Sequence, residues 1–542
     1  MTHPGATTLR WTTLAALLAA APAAAQPAAA EWTRGATCYE VFVRSFQDSD
    51  GDGVGDIPGL IQKLDYINDG DPESTGDLGA SCIWLMPIAE SPSYHGYDVV
   101  DYYSVDREYG TNDDFKRLMR EAHRRGIHVL VDMVLNHSSS EHPWFLEAAR
   151  NPDSPRRDWY VFSARHPGVR NPWGSDNWHR SPHGDEYYFG LFWSGMPDMN
   201  VENPEVVAEH KRIADFWLRE MGVDGFRLDA IKHLVEGGQG AQVEHLPGTH
   251  VYLRDYAAHL ASVKPDVYTV GEVWDSIGAI MPYYPDQLTS HFMFQLSDDI
   301  LTAARTGSAA DLYRGYERLQ REGLPPHRYS PFLRNHDQSR TMTVLEGDER
   351  KAKLAAALLL TLPGLPFVYY GEEIGIAGDK PDENLRTPMH WTSTGGFTTG
   401  TPWRAPQADW ATRNVAAQDA DPNSLLNLHR RLIHLRKQND ALAMGELVPL
   451  TTGSDAVAAF LRRGGDRAVL VVANLRATPG PSLTVSSAPG ALPPGEYDME
   501  SLFGDALGAR MSVGADGRVQ GYLPRAPAPM SVHVMELSAP WP

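Results

Sequence analysis

Three short stretches each set a carboxylate beside fixed partners: GFRLDAIKH (225–233), GEVW (271–274) and FLRNHD (332–337), which supply Asp229, Glu272 and Asp337. Three acids of this kind suit the breaking of a sugar acetal. An oxocarbenium-like transition state needs one carboxylate as nucleophile and one carboxylic acid to protonate the leaving oxygen, and a third acid can orient and distort the ring. Arg227 lies two residues before Asp229, so on a strand both side chains project to the same side, where the cation would keep a nucleophile ionised. Glu272 needs the opposite treatment, a pKa raised by apolar surroundings and a nearby negative charge, and Trp274 is placed to help desolvate it.

A second acidic run, DSDGDGVGD (48–56), carries Asp48, Asp50, Asp52 and Asp56 at alternate or near-alternate positions, with glycines between them that permit a tight loop. Hard oxygen donors so spaced suit Ca²⁺, the alternative being a solvated acidic turn. The run begins like an EF-hand, but the twelfth position is Gly59 where a bidentate Glu is required, so that motif is rejected.

These acids must be positioned by regular elements. Apolar strand-like runs occur at 37–46, 81–88, 128–137, 224–230, 267–274, 291–297, 329–337 and 366–374, and amphipathic helical stretches lie between several of them. In NDDFKRLMREAHRRG, Phe115, Leu118, Met119 and Ala122 recur at helical spacing. Eight strand and helix units predict a closed (β/α)8 barrel, in which the carboxyl ends of the strands carry the chemistry. Each acidic motif ends a strand.

Between the third and fourth strands a stretch at 138–195, rich in Pro, Trp, Asn, Gly and Asp, reads as a small inserted domain leaving the catalytic face. Its Trp144, Trp173, Trp178 and Trp193 offer planar surfaces for sugar rings. After the helical stretch at 422–440 the pattern changes to alternation around Gly464-Gly465-Asp466, a hairpin signal, so an all-β sandwich domain is expected over 445–542. The barrel is then assigned to 35–137 and 196–444.

The first residues place Arg10 before an apolar run and then Ala23-Ala24-Ala25, the order of a signal peptide spanning 1–25, which implies secretion or a periplasmic location. No later run is long and apolar enough to span a bilayer. Of 542 residues, 48 are basic and 69 acidic, and the formal charge of −21 argues against a phosphate backbone as partner. A monomer is expected. The two cysteines, Cys38 and Cys82, sit in strand-like runs and are expected as buried free thiols on neighbouring strands rather than as a bridge.

Taken together, DMVLNH (132–137), MPDMN (196–200), GFRLDAIKH, GEVW and FLRNHD resemble, in order and separation, the sequence regions of the α-amylase superfamily, glycoside hydrolase family 13. The resemblance runs from about residue 35 to the C-terminus. It implies that Asp229 is the nucleophile, Glu272 the general acid/base and Asp337 the carboxylate holding the sugar 2- and 3-hydroxyls. It also implies that His137 and His336 bond the cleaved sugar's hydroxyls, that His95 and Tyr97 of the His-Gly-Tyr pattern add a donor and a stacking face, and that Lys232 and His233 contact the leaving-group side. The acidic loop would hold a structural Ca²⁺ through its four carboxylates and the Val54 carbonyl.

On substrate, exo-acting α-glucosidases of the superfamily commonly carry an Asp three residues before the Tyr97 equivalent, where this chain has Tyr94, which favours an open, endo-type cleft. The calcium-type loop and the stretch Arg386-Thr387-Pro388-Met389-His390-Trp391 pull toward the oligo-1,6-glucosidase and neopullulanase branch. The expected activity is retaining cleavage of α-1,4 bonds in starch or maltooligosaccharides, with transglycosylation as a companion activity. An α-glucosidase, a 4-α-glucanotransferase, a trehalose-forming isomerase and a non-catalytic carbohydrate-binding barrel are the alternatives.

Overall fold

The structure is a computed structural model that describes residues 30–538 apart from Pro172. The expected signal segment lies outside the described residues. Eight parallel strands form the central sheet: β1 (Cys38–Val41), β2 (Cys82–Leu85), β3 (His128–Met133), β4 (Gly225–Leu228), β5 (Tyr268–Gly271), β6 (Ser290–Phe292), β7 (Tyr329–Ser330) and β8 (Phe367–Tyr369). Strands β1 to β7 pair in chain order, and β8 returns to β1 through Cys38 opposite Phe367. A parallel bridge from Phe332, just past β7, to Phe367 closes the ring into the expected barrel.

Alternation along each strand sorts side chains between two cores. Cys38, Cys82, Trp84, Leu130, Tyr268, Val270, Phe292 and Phe367 point inward and fill the barrel, while Tyr39, Val41, Ile83, Leu85, Val129, Val131, Phe226 and Leu228 point outward against the helices. Gly225 is obligatory at the start of β4, because a Cβ there would stand 1.8 Å from the Tyr268 carbonyl oxygen on β5. The helix Asn112–Arg124 forms as its pattern predicts, and a capping box between Thr111 and Asp114 satisfies its first amides.

Two sequence expectations are corrected here. The run at 291–297 is a strand only to Phe292; a helix begins at Phe294 and runs to Thr306, burying Leu296, Ile300, Leu301 and Ala304 at helical spacing. A short apolar run fits either period, and the longer helical face wins. Cys38 and Cys82 are not free thiols. They stand directly opposite each other on β1 and β2, with Cα atoms 4.3 Å apart, and form a disulfide. Register decides the pairing, and register between distant strands is not written in either local sequence.

The stretch after β3 folds as a helix, Pro143–Arg150, and a small three-stranded antiparallel sheet built from Phe162–Ser163, Trp178–Arg180 and Tyr187–Phe189. Past the helix Leu425–Gln438 the chain becomes all-β. Eight antiparallel strands, β9 (Glu446–Leu450), β10 (Val457–Gly464), β11 (Arg467–Asn474), β12 (Leu483–Ser486), β13 (Gly495–Phe503), β14 (Arg510–Val513), β15 (Val519–Leu523) and β16 (Ser531–Leu537), fold over a second apolar core. At the junction two buried guanidiniums, Arg436 from the barrel's last long helix and Arg462 from β10, converge on one helix end. Arg436 donates to the carbonyls of Leu360 and Leu362, and Arg462 to that of Thr361, so that they satisfy the otherwise orphaned end of the helix Glu349–Thr361.

Candidate active site

The parity that fills the barrel also builds its upper rim. On β4 the inward positions after Gly225 are Arg227 and Asp229; on β5, after Tyr268 and Val270, the next is Glu272; on β3, after Leu130, it is Asp132. Four charged groups therefore converge from three neighbouring strands. Arg227, 1% exposed, joins them: Nη1 donates to Asp229 Oδ1 at 2.6 Å and to both oxygens of Asp132 at 2.9 Å, and Nη2 donates to Glu272 Oε2 at 2.6 Å. One guanidinium fork thus sets the separation of Asp229 from Glu272. Directly after Asp229, Ala230 adopts a positive φ of 47°, and its N–H donates to Glu272 Oε2 at 3.1 Å. A left-handed alanine is strained, and here it locks the two acids together.

Asp337 approaches from the end of β7. Arg386 Nη2 donates to its Oδ1 at 2.9 Å, and His336 Nε2 lies 3.2 Å from its Oδ2. The His336 ring is itself held by Glu40 Oε1 at 2.6 Å and by Tyr97 Oη at 2.6 Å.

Environment separates the three carboxyls. Burial pushes Glu272 up to about 7, with Arg227 opposing and the charges on Asp229 and Asp337 adding to the rise. Burial likewise lifts Asp229, to about 6, against the pull of Arg227 and with Asp132 contributing. Arg227 therefore does not hold Asp229 at an ordinary carboxylate value, as its proximity alone suggests, because burial outweighs its pull and Asp132 and Asp337 add like charge. Burial alone would raise Asp337 too, but His336 and Arg386 hold it well below the usual range. His336 is raised to about 9, since the carboxylates of Asp337 and Glu40 outweigh the cost of burying its charge.

A cleft of about 710 Å³ opens above these groups. It is lined by Asp229, Glu272 and Asp337 together with His95, Tyr97, His137, Lys232 and His233, all singled out from sequence. His137 Nδ1 meets Asn136 Oδ1 at 3.0 Å while its Nε2 has no hydrogen-bond partner among the described residues, and burial lowers its pKa to about 3, so a neutral ring faces the cleft. Lys232 Nζ donates to the Trp274 carbonyl at 3.1 Å and pairs with Glu244 at 3.0 Å.

Other expected residues sit elsewhere. Arg227 and His336 are not among the residues that line the cleft; both His336 nitrogens have partners within the protein, Glu40 on one side and Tyr97 with Asp337 on the other. Trp173 and Trp193 line the cleft and are about half exposed, whereas Trp178 is buried and Trp144 stacks on Tyr102 away from it. Trp274 also lines the cleft, but it is 46% exposed and stacked on Phe294, so general burial of Glu272 carries the desolvation rather than this ring.

Three participants were not singled out from sequence. Asp132 and Glu40 occupy inward strand positions, so strict alternation would have flagged them. Arg386, by contrast, comes from a loop with no period, and nothing local announces that it meets Asp337.

In the acidic loop, Asp48, Asp50 and Asp56 each present an oxygen within 4.8 Å of the others. Asp52 is not among them; its Oδ1 accepts the Val54 N–H at 2.7 Å. Asp48 accepts from the amides of Asp50, Gly51 and Gly53, and Asp56 caps the helix Ile57–Gln62. The clustered donors are all oxygens, which fits Ca²⁺.

A closed β/α barrel whose strand ends bring a buried carboxylate pair, a third acid and neutral histidines to one cleft is a glycoside hydrolase architecture. The chain belongs to the α-amylase family, glycoside hydrolase family 13: the family description "Alpha amylase, catalytic domain" matches residues 40–445. The chain is 42% identical to α-amylase 3 of Dictyoglomus thermophilum, over 82% of this chain and 85% of that one. It is 35% identical to the trehalose synthase/amylase TreS of Mycolicibacterium smegmatis, covering 83% and 85%, and 33% identical to the oligo-1,6-glucosidase of Parageobacillus thermoglucosidasius, covering 82% and 90%. The crystal structure of the α-amylase from H. orenii superimposes with a TM-score of 0.80 at 39% identity, covering 93% of this chain and 99% of that one.

Proposed function

We propose that this glycoside hydrolase is a retaining α-amylase that cleaves α-1,4 bonds in starch or maltooligosaccharides. The observation that carries the reading is the single Arg227 fork, which holds Asp229 and Glu272 close enough for nucleophilic attack and proton donation on one glycosidic bond. Glu272, raised to about 7, donates its proton to the leaving oxygen as Asp229 attacks the anomeric carbon from the opposite face. The resulting glycosyl ester is then opened by water that Glu272 deprotonates. Asp337, kept ionised by His336 and Arg386, accepts hydrogen bonds from the hydroxyls of the same sugar. His95, Tyr97 and His137 bind that sugar, and Lys232 and His233 bind the leaving side.

Incubation with maltoheptaose tests the assignment: short internal products are expected, and failure to release reducing sugar from starch while still binding it would identify a non-catalytic barrel. A second reading has one observation in its favour. Asp382 lines the cleft 3.5 Å from Arg386 and supplies a carboxylate of the kind that caps a chain end, which would make the enzyme exo-acting and its product glucose alone. Longer oligomers would instead mark a glucanotransferase, and trehalose from maltose an isomerase.

The acidic loop is proposed to hold a structural Ca²⁺ through Asp48, Asp50 and Asp56. The loop is tied to Tyr94, the neighbour in sequence of the cleft-lining His95, since the Trp403 amide donates to the Gly53 carbonyl at 2.9 Å and the Trp403 ring stacks on Tyr94. Export to the periplasm or medium is proposed from the basic, apolar and small-residue order of the first 25 residues; the Cys38–Cys82 bridge supports an oxidising compartment.

A further inference from the structure

The opposite rim of the barrel carries a cluster that glucan hydrolysis does not use. His123 sits in the last turn of the helix Asn112–Arg124, His128 opens β3, and Asp224 immediately precedes β4, so the cluster gathers at the amino ends of β3 and β4, the far end of the barrel from Asp132 and Asp229. One ligand atom from each stands within 4.8 Å of the other two.

The individual distances approach those of a coordinated ion. His123 Nε2 lies 2.8 Å from Asp224 Oδ2, and His128 Nδ1 lies 3.5 Å from Asp224 Oδ1. Two ligands about 2.0–2.1 Å from one tetrahedral metal stand about 3.3–3.4 Å apart, so small side-chain rotations suffice. His128 Nδ1 is buried and makes no hydrogen bond among the described residues, so no protein donor or acceptor competes with an ion for it. The surroundings already fix both ligands: Trp32 stacks on the His128 ring with centroids 4.5 Å apart, and the Val129 N–H donates to Asp224 Oδ2 at 2.9 Å.

We propose that His123, His128 and Asp224 form a site for an imidazole-preferring divalent metal, of the Zn²⁺, Ni²⁺ or Cu²⁺ class, completed by water. Two nitrogens and one oxygen select these ions over Ca²⁺ and Mg²⁺, which prefer oxygen shells. Lys264 opposes the ion, because its Nζ lies 2.9 Å from Asp224 Oδ1 and brings a positive charge to the rim. The metal would clamp one helix end and two strand starts, a stabilising role remote from the cleft.

The test is Zn²⁺ titration of the full chain by calorimetry with excess Ca²⁺ present, which occupies oxygen-only sites, followed by anomalous diffraction from a Zn²⁺-soaked crystal. One Zn²⁺ equivalent is expected, with an anomalous peak between the two imidazoles. Affinity should fall at least tenfold in His123→Ala and in His123→Gln, the latter keeping a polar side chain beside Asp224, and should rise in Lys264→Gln. Wild-type protein that binds no Zn²⁺, a peak elsewhere, or histidine variants with the wild-type isotherm would overturn the site. Starch hydrolysis by the variants, expected at the wild-type rate without Zn²⁺, reports that they are folded.

Discussion

Replacing Arg227 should move the whole pH–rate profile rather than merely lower it. In the wild type, protonation of Asp229, raised to about 6, sets the acid limb, and deprotonation of Glu272, raised to about 7, sets the alkaline limb, so activity should be greatest between pH 6 and 7. Because the two carboxyls share one guanidinium, these limbs belong to the pair. Arg227→Met removes the only cation bonded to either acid among the described residues, and losing an opposite charge at this range raises a carboxyl pKa by about 1–3 units. The ionised fraction of Asp229 at pH 7 then falls roughly 2- to 100-fold, and both limbs move alkaline together. Arg227→Lys retains the charge but lacks the planar fork whose two Nη groups meet Asp229 and Glu272, so it should shift less while losing kcat through misplacement. The assay is kcat/KM on maltoheptaose from pH 4 to 10, with circular dichroism as the fold check, because uncovering buried carboxylates costs about 3–5 kcal/mol of stability. An Arg227→Met enzyme that is folded, slower and unchanged in optimum would refute the shared-fork argument.

Other consequences can be measured independently. Cys82→Ala should destabilise the barrel by about 4 kcal/mol on the chain-entropy account of a bridge closing 44 residues, and an unchanged denaturation midpoint would mean the bridge is not formed in solution. Chelation should lower the melting temperature, since an ion held at 100 times its Kd contributes about 2.7 kcal/mol, and added Ca²⁺ but not Mg²⁺ should restore it; indifference to chelator would remove the ion from the Asp48 loop. Trp173→Ala should raise KM for long maltooligosaccharides roughly 2- to 12-fold at constant kcat, the worth of about 0.5–1.5 kcal/mol of stacking, and equal effects on maltotriose would argue against a platform role.

The barrel was legible because eight strand-like runs repeat with helices between them, and the convergence of Asp229 and Glu272 was legible because each follows the last inward position of its strand, whereas Asp337 reaches the cleft from the loop seven residues past the end of β7. Alternation places Arg227 and Asp229 on one side from sequence alone. It does not reveal that Arg227 also meets Asp132 and Glu272 on adjacent strands, which depends on register across β3, β4 and β5. The same blindness to register hid the Cys38–Cys82 bridge. The surroundings of His336 were hidden for a related reason: its motif announces a polar ring beside Asp337 but not that Glu40, nearly 300 residues earlier, occupies one of its nitrogens. The helix at Phe294 was read as strand because HFMFQLS satisfies both periods over seven residues, and only packing outside the barrel separates them.

The central claim is that Asp229 forms a covalent bond to the sugar while Glu272 handles the proton. Its most direct test uses Glu272→Gln with an α-maltosyl fluoride, whose leaving group needs no acid but whose glycosyl-enzyme cannot be hydrolysed without the base. Intact-mass and peptide mapping should then find a maltosyl adduct on the peptide carrying Asp229. An adduct on another carboxylate, or turnover that yields the β-anomer with no adduct, would contradict the account.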